Sequence, residues 1–398
     1  MLFVMKQMSN IYSHMMCIGT FLLFQLFYGQ AFASGLKSDE TVLFFTVDAY
    51  KKTTDTVLKE PKPSKAHLQN FTNTIVLNEN NHSIWLVPLH AWVYEQEKDS
   101  FWRTKLTHEI AEEIGLQENS PEYENLQNTL TMFLVDSESF KTLELQVNGQ
   151  AVIFGRSSFN GHIQNTIEVS SNRKDISLDV HINETVLSKE AKQRKGLIRL
   201  IPNQGVSIIS DIDDTIKDSH VLDKKELIKN TFLRPAKPVK FMNDWYQNML
   251  KHYSSPDISK AYFHYVSASP WQLYPALNQF LQQHDFPSGS LYLRQFRIKD
   301  RSVLDFLRPS TEYKVETISR LIKQYPGRYF ILIGDSGEHD PEIYGRIITT
   351  YPAQVKMIYI RKVPGSDLSK QRFSQAFGDI GSGKWQLFEE QNLPDFPF

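Results

Sequence analysis

Two textures of apolar patterning divide the chain near residue 205. Over residues 40–204 the apolar positions come in short runs: "TVLFFTVDAY", "SIWLVPLHAWVYE", "TLELQVNGQAVIF" and "ISLDVHI". In the last run Ile176, Leu178, Val180 and Ile182 alternate with polar residues, the period of a half-buried strand. Asn148-Gly149, between two such runs, predicts a hairpin, because both residues tolerate positive φ. One helix is predicted near "FWRTKLTHEIAEEIGL". These elements predict a β-rich, sandwich-like domain with a helical insertion.

Residues 205–398 read differently. The apolar runs "VSIIS", "AYFHYVS", "SLYLRQF", "RYFILIG" and "VKMIYI" alternate with amphipathic segments such as "FMNDWYQNMLKHY", "PWQLYPALNQFLQQH", "TEYKVETISRLIKQY" and "PEIYGRIITTY". Strand–helix alternation predicts an α/β domain with a parallel sheet covered on both faces. Ligands of such sheets bind at the carboxyl ends of the strands.

Composition adds limits rather than direction. The 398 residues suit two domains, and a formal net charge of −1 gives no electrostatic reason to expect nucleic acid. Residues 1–33 are predicted to be a signal peptide: Lys6 is the one cation, and an uncharged run from Cys17 ends in Ala31-Phe32-Ala33. The protein is therefore expected to be exported, periplasmic or secreted. Cys17 is the sole cysteine, so the mature chain would hold no disulfide, zinc–thiolate site or cysteine nucleophile. Asn70, Asn81 and Asn183 open Asn-x-Ser/Thr triplets, which matter only in a eukaryotic secretory route.

The chemistry is concentrated at four strand ends. "SIISDIDDTIKDS" closes an apolar run with Asp211, Asp213 and Asp214. Carboxylates this close repel one another, and a bound cation would relieve them. Ser267 closes "AYFHYVS", Lys314 lies near the start of a helix, and Asp335 and Asp340 follow "RYFILI" in "GDSGEHD". Each residue type suits phosphoryl transfer. Hard carboxylate oxygens bind Mg²⁺. One Asp can attack phosphorus and a second can shuttle a proton. Ser267 and Lys314 can meet the oxygens of the transferring group. Taken singly these are ordinary residues: a capping Asp, a helix-capping Ser, a surface Lys, a Gly-Asp turn. Their joint order after four apolar runs is what carries the reading.

D-x-D-x-T after a strand, a strand-terminal Ser, a helix Lys and G-D-x-x-x-x-D resemble the four motifs of the haloacid dehalogenase superfamily. More closely, "SDIDDTIKDS", "FHYVSASPWQLYP", "FLQQHDFPSGSLYLR" and "FILIGDSGEHDPEIYGRI" resemble the actin-patch-associated phosphatidate phosphatase family over residues ~205–365. The resemblance implies a Rossmann-like sheet and Mg²⁺-dependent conversion of phosphatidate to diacylglycerol. It implies Asp211 as nucleophile and Asp213 as general acid/base. Mg²⁺ would be held by Asp211, Asp335 and the main-chain carbonyl of Asp213, with Asp340 beside them, and phosphate by Ser267 and Lys314. Two departures stand out. That family's name comes from an intracellular, eukaryotic setting, whereas this chain carries an export-like segment. Phe241 also replaces the Gly that relatives often place before the Met opening the next helix, in a segment positioned to shape substrate access.

Between Thr215 and Phe241 a predicted flap mixes Lys224, Lys225, Lys229, Arg234, Lys237 and Lys240 with Leu222, Leu227, Ile228, Phe232 and Leu233. This mixture suits an anionic lipid phosphate and peripheral contact with a membrane surface; the plain alternative is an amphipathic flap with solvated lysines. A second basic loop offers Arg294, Arg297, Lys299, Arg301 and Arg308. "HEIAE" at 108–112 lacks the second His of a zinc-protease helix and reads as an amphipathic helix, and His264 reads as a core residue. Two rivals remain: a phosphatase of soluble monoesters, and a lipid- or surface-binding protein with a vestigial site. No substituted catalytic position favours the latter.

Overall fold

The computed structural model describes residues 40–52, 74–76, 83–95, 101–118, 120–130, 135–147, 150–171, 177–182, 192–194, 196–254, 260–295, 310–378, 380–381 and 383–397. The export-like segment and residues 296–309, which hold most of the second basic loop, lie outside the described residues.

Six strands form a fully parallel sheet in the spatial order Gly289–Arg294, Tyr262–Pro270, Gly205–Ser210, Arg328–Asp335, Val355–Arg361 and Trp385–Phe388. In chain order this is 3-2-1-4-5-6. The direction of winding therefore reverses between the strands ending at Ser210 and Asp335, the place at which sheets of this kind bind their ligands. The two central strands are buried on both faces, which is why "VSIIS" and "RYFILIG" are apolar runs rather than alternations. The sixth strand, the helix Lys370–Phe377 and the flap helix Lys224–Phe232 were absent from the reading by pattern.

The amino-terminal strands join in one 11-stranded network. Ser83–Glu95 is its longest strand and pairs with His162–Ser171 over ten residues. Thr142–Val147 pairs antiparallel with Gln150–Arg156, the pairing expected of the flanking strands; Asn148 and Gly149 themselves lie outside the described residues. Among the described residues two insertion helices are present where one is expected, Phe101–Ile114 and Pro121–Thr129; the second has Pro at its first position and Glu122 and Glu124 in its first turn.

The halves share their cores. Leu43, Phe45, Trp92 and Tyr94 pack in one cluster with Ile208, Tyr265 and Tyr274. A smaller cluster joins Leu106, Ile110, Ile114 and Leu126 of the insertion helices to Ile228 and Phe232 of the flap helix, with Leu273 beside them. The predicted flap is therefore clamped by the amino-terminal half.

Candidate active site

The crevice at the winding reversal is acidic. Asp211 follows the Gly205–Ser210 strand directly, its N–H donating to the Ile333 carbonyl at 2.9 Å. Asp335 ends the neighbouring strand, and Asp340 opens the helix Asp340–Thr350. All three are buried, and ligand oxygens of the three carboxyls lie within 4.8 Å of one another. Gly334 is required here because a Cβ would collide with the Asp340 carboxylate.

Lys314, one turn into the helix Thr311–Gln324, reaches into this group. Its Nζ lies 2.8 Å from Asp211 Oδ1, 2.7 Å from Asp340 Oδ1 and 3.5 Å from Glu338 Oε2. Three carboxyls thus face one ammonium, with the Asp335 carboxyl close to Asp211 and Asp340. Burial, with Asp340, Asp335 and Glu338 nearby, pushes the Asp211 carboxyl well above its ordinary range against the pull of Lys314. Burial and the neighbouring Asp340 and Glu338 raise Asp335 similarly. Lys314 moves the other way from what burial alone would cause: Asp211, Asp340 and Glu338 raise it.

Asp335 also holds the one oxygen here that nothing satisfies. Its Oδ1 accepts the N–H groups of Gly337 (2.6 Å) and Glu338 (3.2 Å), while Oδ2 is buried without a hydrogen-bond partner among the described residues. Such an atom is costly to leave unpaired. An excess of hard carboxylate oxygens with one oxygen to spare fits a hard cation, and no softer donor is present in the trio.

A second constellation surrounds Asp213. Its Oδ1 accepts from Ser219 Oγ (2.6 Å) and Lys217 Nζ (3.1 Å), and its Oδ2 from Ser269 Oγ (3.1 Å) and Ser267 Oγ (3.4 Å). Burial pushes the Asp213 carboxyl up, but Lys217 and the hydrogen bonds from Ser219 and Ser269 outweigh it, and it sits below its ordinary range. The intervening loop is tightly built. Asp214 adopts φ 51°, and its carboxylate accepts the N–H groups of Ser219 (2.8 Å), His220 (2.9 Å) and Val221 (2.6 Å).

The six residues singled out by sequence are thus brought to one end of one sheet. Asp211, Lys314, Asp335 and Asp340 form the first group, and Asp213 and Ser267 the second.

With this geometry in view, comparison with known proteins is informative. Residues 206–362 match the family described as phosphatidate phosphatase APP1, catalytic domain, a span containing every site residue named above. The likeness to that family is confined to this span of the chain. It is 34% identical to phosphatidate phosphatase APP1 of Saccharomyces cerevisiae over 160 residues, 39% of this chain and 26% of that protein. It is 31% identical to an uncharacterised protein of Schizosaccharomyces pombe over 188 residues, 46% of this chain and 29% of that protein. The chain therefore spans under a third of the length of these curated relatives.

The parallel-sheet domain holds further residues at this site that the sequence pattern did not single out. Lys217, Ser219 and Ser269 clasp Asp213. Arg361, at the end of its strand, donates to the Asp214 carbonyl at 2.8 Å. Arg372 fixes the loop after Asp335 through the carbonyls of Ser336 (2.6 Å) and Glu338 (2.5 Å) while pairing with Glu342 at 2.7 Å. A basic residue at a strand's carboxyl end was a legible signal for Arg361, whereas Arg372 lies a further helix away and gave none. In "HEIAE", His108 is exposed on the helix Phe101–Ile114 and lies 2.8 Å from Glu118.

Proposed function

We propose that the protein is a Mg²⁺-dependent phosphatidate phosphatase of the haloacid dehalogenase type, acting after export through an aspartyl-phosphate on Asp211. The observation that carries this reading is the orphaned Asp335 Oδ2 inside the Asp211–Asp335–Asp340 trio, beside Lys314. Strand order, motif order and the APP1 family match support it. Export rests on the uncharged run ending in Ala33.

Asp211, Asp335, Asp340 and the Asp213 main chain are the groups that would hold the cation. When bound, it supplies positive charge against the phosphate oxygens and the crowded carboxylates. The remaining steps belong to the chain itself. An Asp211 oxygen bonds to phosphorus as the bond from phosphorus to the glycerol oxygen breaks. Asp213 gives its proton to that leaving oxygen, and diacylglycerol departs. Asp213 then takes a proton from water, whose oxygen bonds to phosphorus as the Asp211–phosphorus bond breaks, releasing inorganic phosphate. Lys217, Ser219 and Ser269 hold Asp213 ionised in the free pocket. An arriving phosphate dianion beside Ser267 and Ser269 raises its proton affinity, which the first step needs. Lys314 neutralises charge that develops at the nucleophile.

The test is phosphate release from phosphatidate micelles against a water-soluble ester, with Mg²⁺ and then with EDTA. Phosphatidate should be the faster substrate, and chelation should stop turnover. Asp211→Asn should lose turnover by a factor of about a thousand or more while its circular dichroism stays unchanged. Faster hydrolysis of the soluble ester would favour that rival substrate class, and EDTA-resistant turnover would remove the cation from the scheme.

A further inference from the structure

The carboxyl edge of the parallel sheet carries more than the acidic crevice. Among the described residues the exposed large apolar side chains include Leu222, Phe241 and Leu368. Topology places all three at this edge. Leu222 follows the Asp211 loop and lies against the loop after Arg361, where a Cβ on Gly365 would sit 3.9 Å from its Cδ1. Leu368 precedes the helix Lys370–Phe377, whose Arg372 braces the loop after Asp335. Phe241 precedes the helix Met242–His252, and the segment before it pairs with residues 216–218: Asp218 N donates to the Lys237 carbonyl at 2.9 Å and Val239 N to the Ile216 carbonyl at 2.8 Å.

Phe241 is the anomaly. It adopts φ 64° and ψ −7°, a left-handed conformation that a bulky side chain rarely takes. It also leaves 53% of its surface exposed. Strain at a side chain left more than half exposed points to a role outside the folded core. Phe140 makes the contrast. It too has positive φ and is 40% exposed, but its ring is flanked by Arg156 at 4.8 Å and by Phe159 at 4.8 Å.

Charge surrounds these apolar groups. Lys225, Lys237, Lys240 and Lys370 are exposed, and none has a carboxylate at ion-pair distance among the described residues. Nearby acids are mostly engaged. Asp223 and Asp367 accept backbone N–H groups at helix starts, and Asp218 lies 3.3 Å from His220. Asp244 is the one exposed acid between Arg234 and Leu250.

We infer that this edge is a membrane-docking surface: Leu222, Phe241 and Leu368 enter the interfacial layer while Lys225, Lys237, Lys240 and Lys370 meet anionic headgroups. Apolar groups inserted at headgroup depth, together with lysines on anionic lipid, are the two contributions that make peripheral binding stable. The occupant is an anionic lipid surface because both chemistries surround the crevice in which a lipid phosphate would react. The inference rests on the lipid-phosphate reading for its choice of partner. It adds the surface by which that partner is met.

The test is co-sedimentation of the intact protein with vesicles of phosphatidylcholine, or of phosphatidylcholine with phosphatidylserine, which is not a phosphate monoester. The wild type should sediment with the anionic vesicles and stay soluble with the neutral ones. Phe241→Gly should weaken partitioning about tenfold or more, with a melting temperature equal to or above that of the wild type, since Gly adopts this φ without strain. Leu368→Ser should weaken it independently, and Lys237→Ala with Lys240→Ala should remove the preference for anionic lipid. A wild type that binds neither vesicle, or a folded Phe241→Gly that binds as the wild type does, overturns the inference. A protein that docks but releases no phosphate from phosphatidate leaves the surface standing and removes the proposed activity.

Discussion

Two buried carboxylates, Asp48 and Asp335, show opposite uses of the same side chain. Asp48 comes from the amino-terminal network and lies at its junction with the parallel sheet. Its carboxylate accepts from Arg199 Nε (2.8 Å), Ser290 Oγ (2.8 Å), His264 Nδ1 (2.8 Å) and Tyr292 OH (3.0 Å). Burial pushes its carboxyl up, but Arg199, His264 and Ser290 outweigh that and hold it well below the ordinary range. Burial lowers His264 against the pull of Asp48, and its Nε2 lies 3.1 Å from the Ser207 hydroxyl. Asp335 is just as buried, yet one oxygen has no partner, and burial with its acidic neighbours pushes it up. Burial of a carboxylate thus says little about function; whether its lone pairs are filled separates a structural group from one kept for a ligand.

The largest break in this comparison is Asp48→Ala. It strands the Arg199 guanidinium between the halves and should cost about 3–5 kcal/mol in urea unfolding, a large share of a domain's stability. The pH dependence has a definite sign. A carboxyl depressed in the folded state contributes fully above its unfolded value, and its contribution is lost as pH falls. Wild-type stability from this group should therefore be complete above about pH 4 and decline below it, and Asp48→Ala should flatten that limb. A cost under about 1 kcal/mol would mean that the saturated network does not join the halves.

Asp335→Asn should act in the opposite direction on stability. Removing a charge from among Asp211, Asp340 and Glu338 should make the protein in EDTA more stable by about 1–3 kcal/mol. Mg²⁺ should raise the melting temperature of the wild type and leave that of the variant unchanged, and turnover should be lost with that response. A destabilised variant would show that Asp335 is a structural acid like Asp48.

The same contrast explains what the sequence revealed. The acidic crevice was legible because each member follows an apolar run, so topology alone brought Asp211, Ser267 and Asp335 to one edge. The Asp48 network was not. In "TVDAY" Asp48 looks like an ordinary polar residue of an alternating strand, and its partners Arg199 and Ser290 lie 151 and 242 residues away. His162–Ser171 was missed because its many polar residues hide its pairing with Ser83–Glu95. The flap helix is only nine residues long, and its apolar face is completed by insertion helices from the other half. Its Asp223 cap, which accepts from Lys225 N and Glu226 N, was the local signal available.

Ser269→Ala sharpens the comparison within the site. Asp213 resembles Asp48 in having filled lone pairs, but its donors are hydroxyls and a lysine at the crevice. Losing one hydrogen bond to a charged group corresponds to roughly a tenfold lower kcat. Melting temperature, and its response to Mg²⁺, should stay at wild-type values, because the trio of Asp211, Asp335 and Asp340 is untouched. A change in the Mg²⁺ response would mean that the two constellations act as one unit.

The smallest effect is expected where the halves meet at the surface. Lys224 of the flap helix pairs with Glu113 of the first insertion helix at 2.9 Å, with their side chains 50% and 28% exposed. Like the contacts of Asp48 with His264 and Ser290, this pair bridges the halves, but water competes for both partners and salt screens them. Glu113→Gln should cost no more than about 0.5 kcal/mol and should leave turnover unchanged, with the difference vanishing at high salt. What clamps the flap in this view is the apolar contact of Ile228 and Phe232 with Leu106, Ile110 and Leu126. A salt-resistant loss above about 1.5 kcal/mol from Glu113→Gln would instead make this exposed pair the flap's anchor, and exposure would no longer separate structural from incidental ion pairs in this molecule.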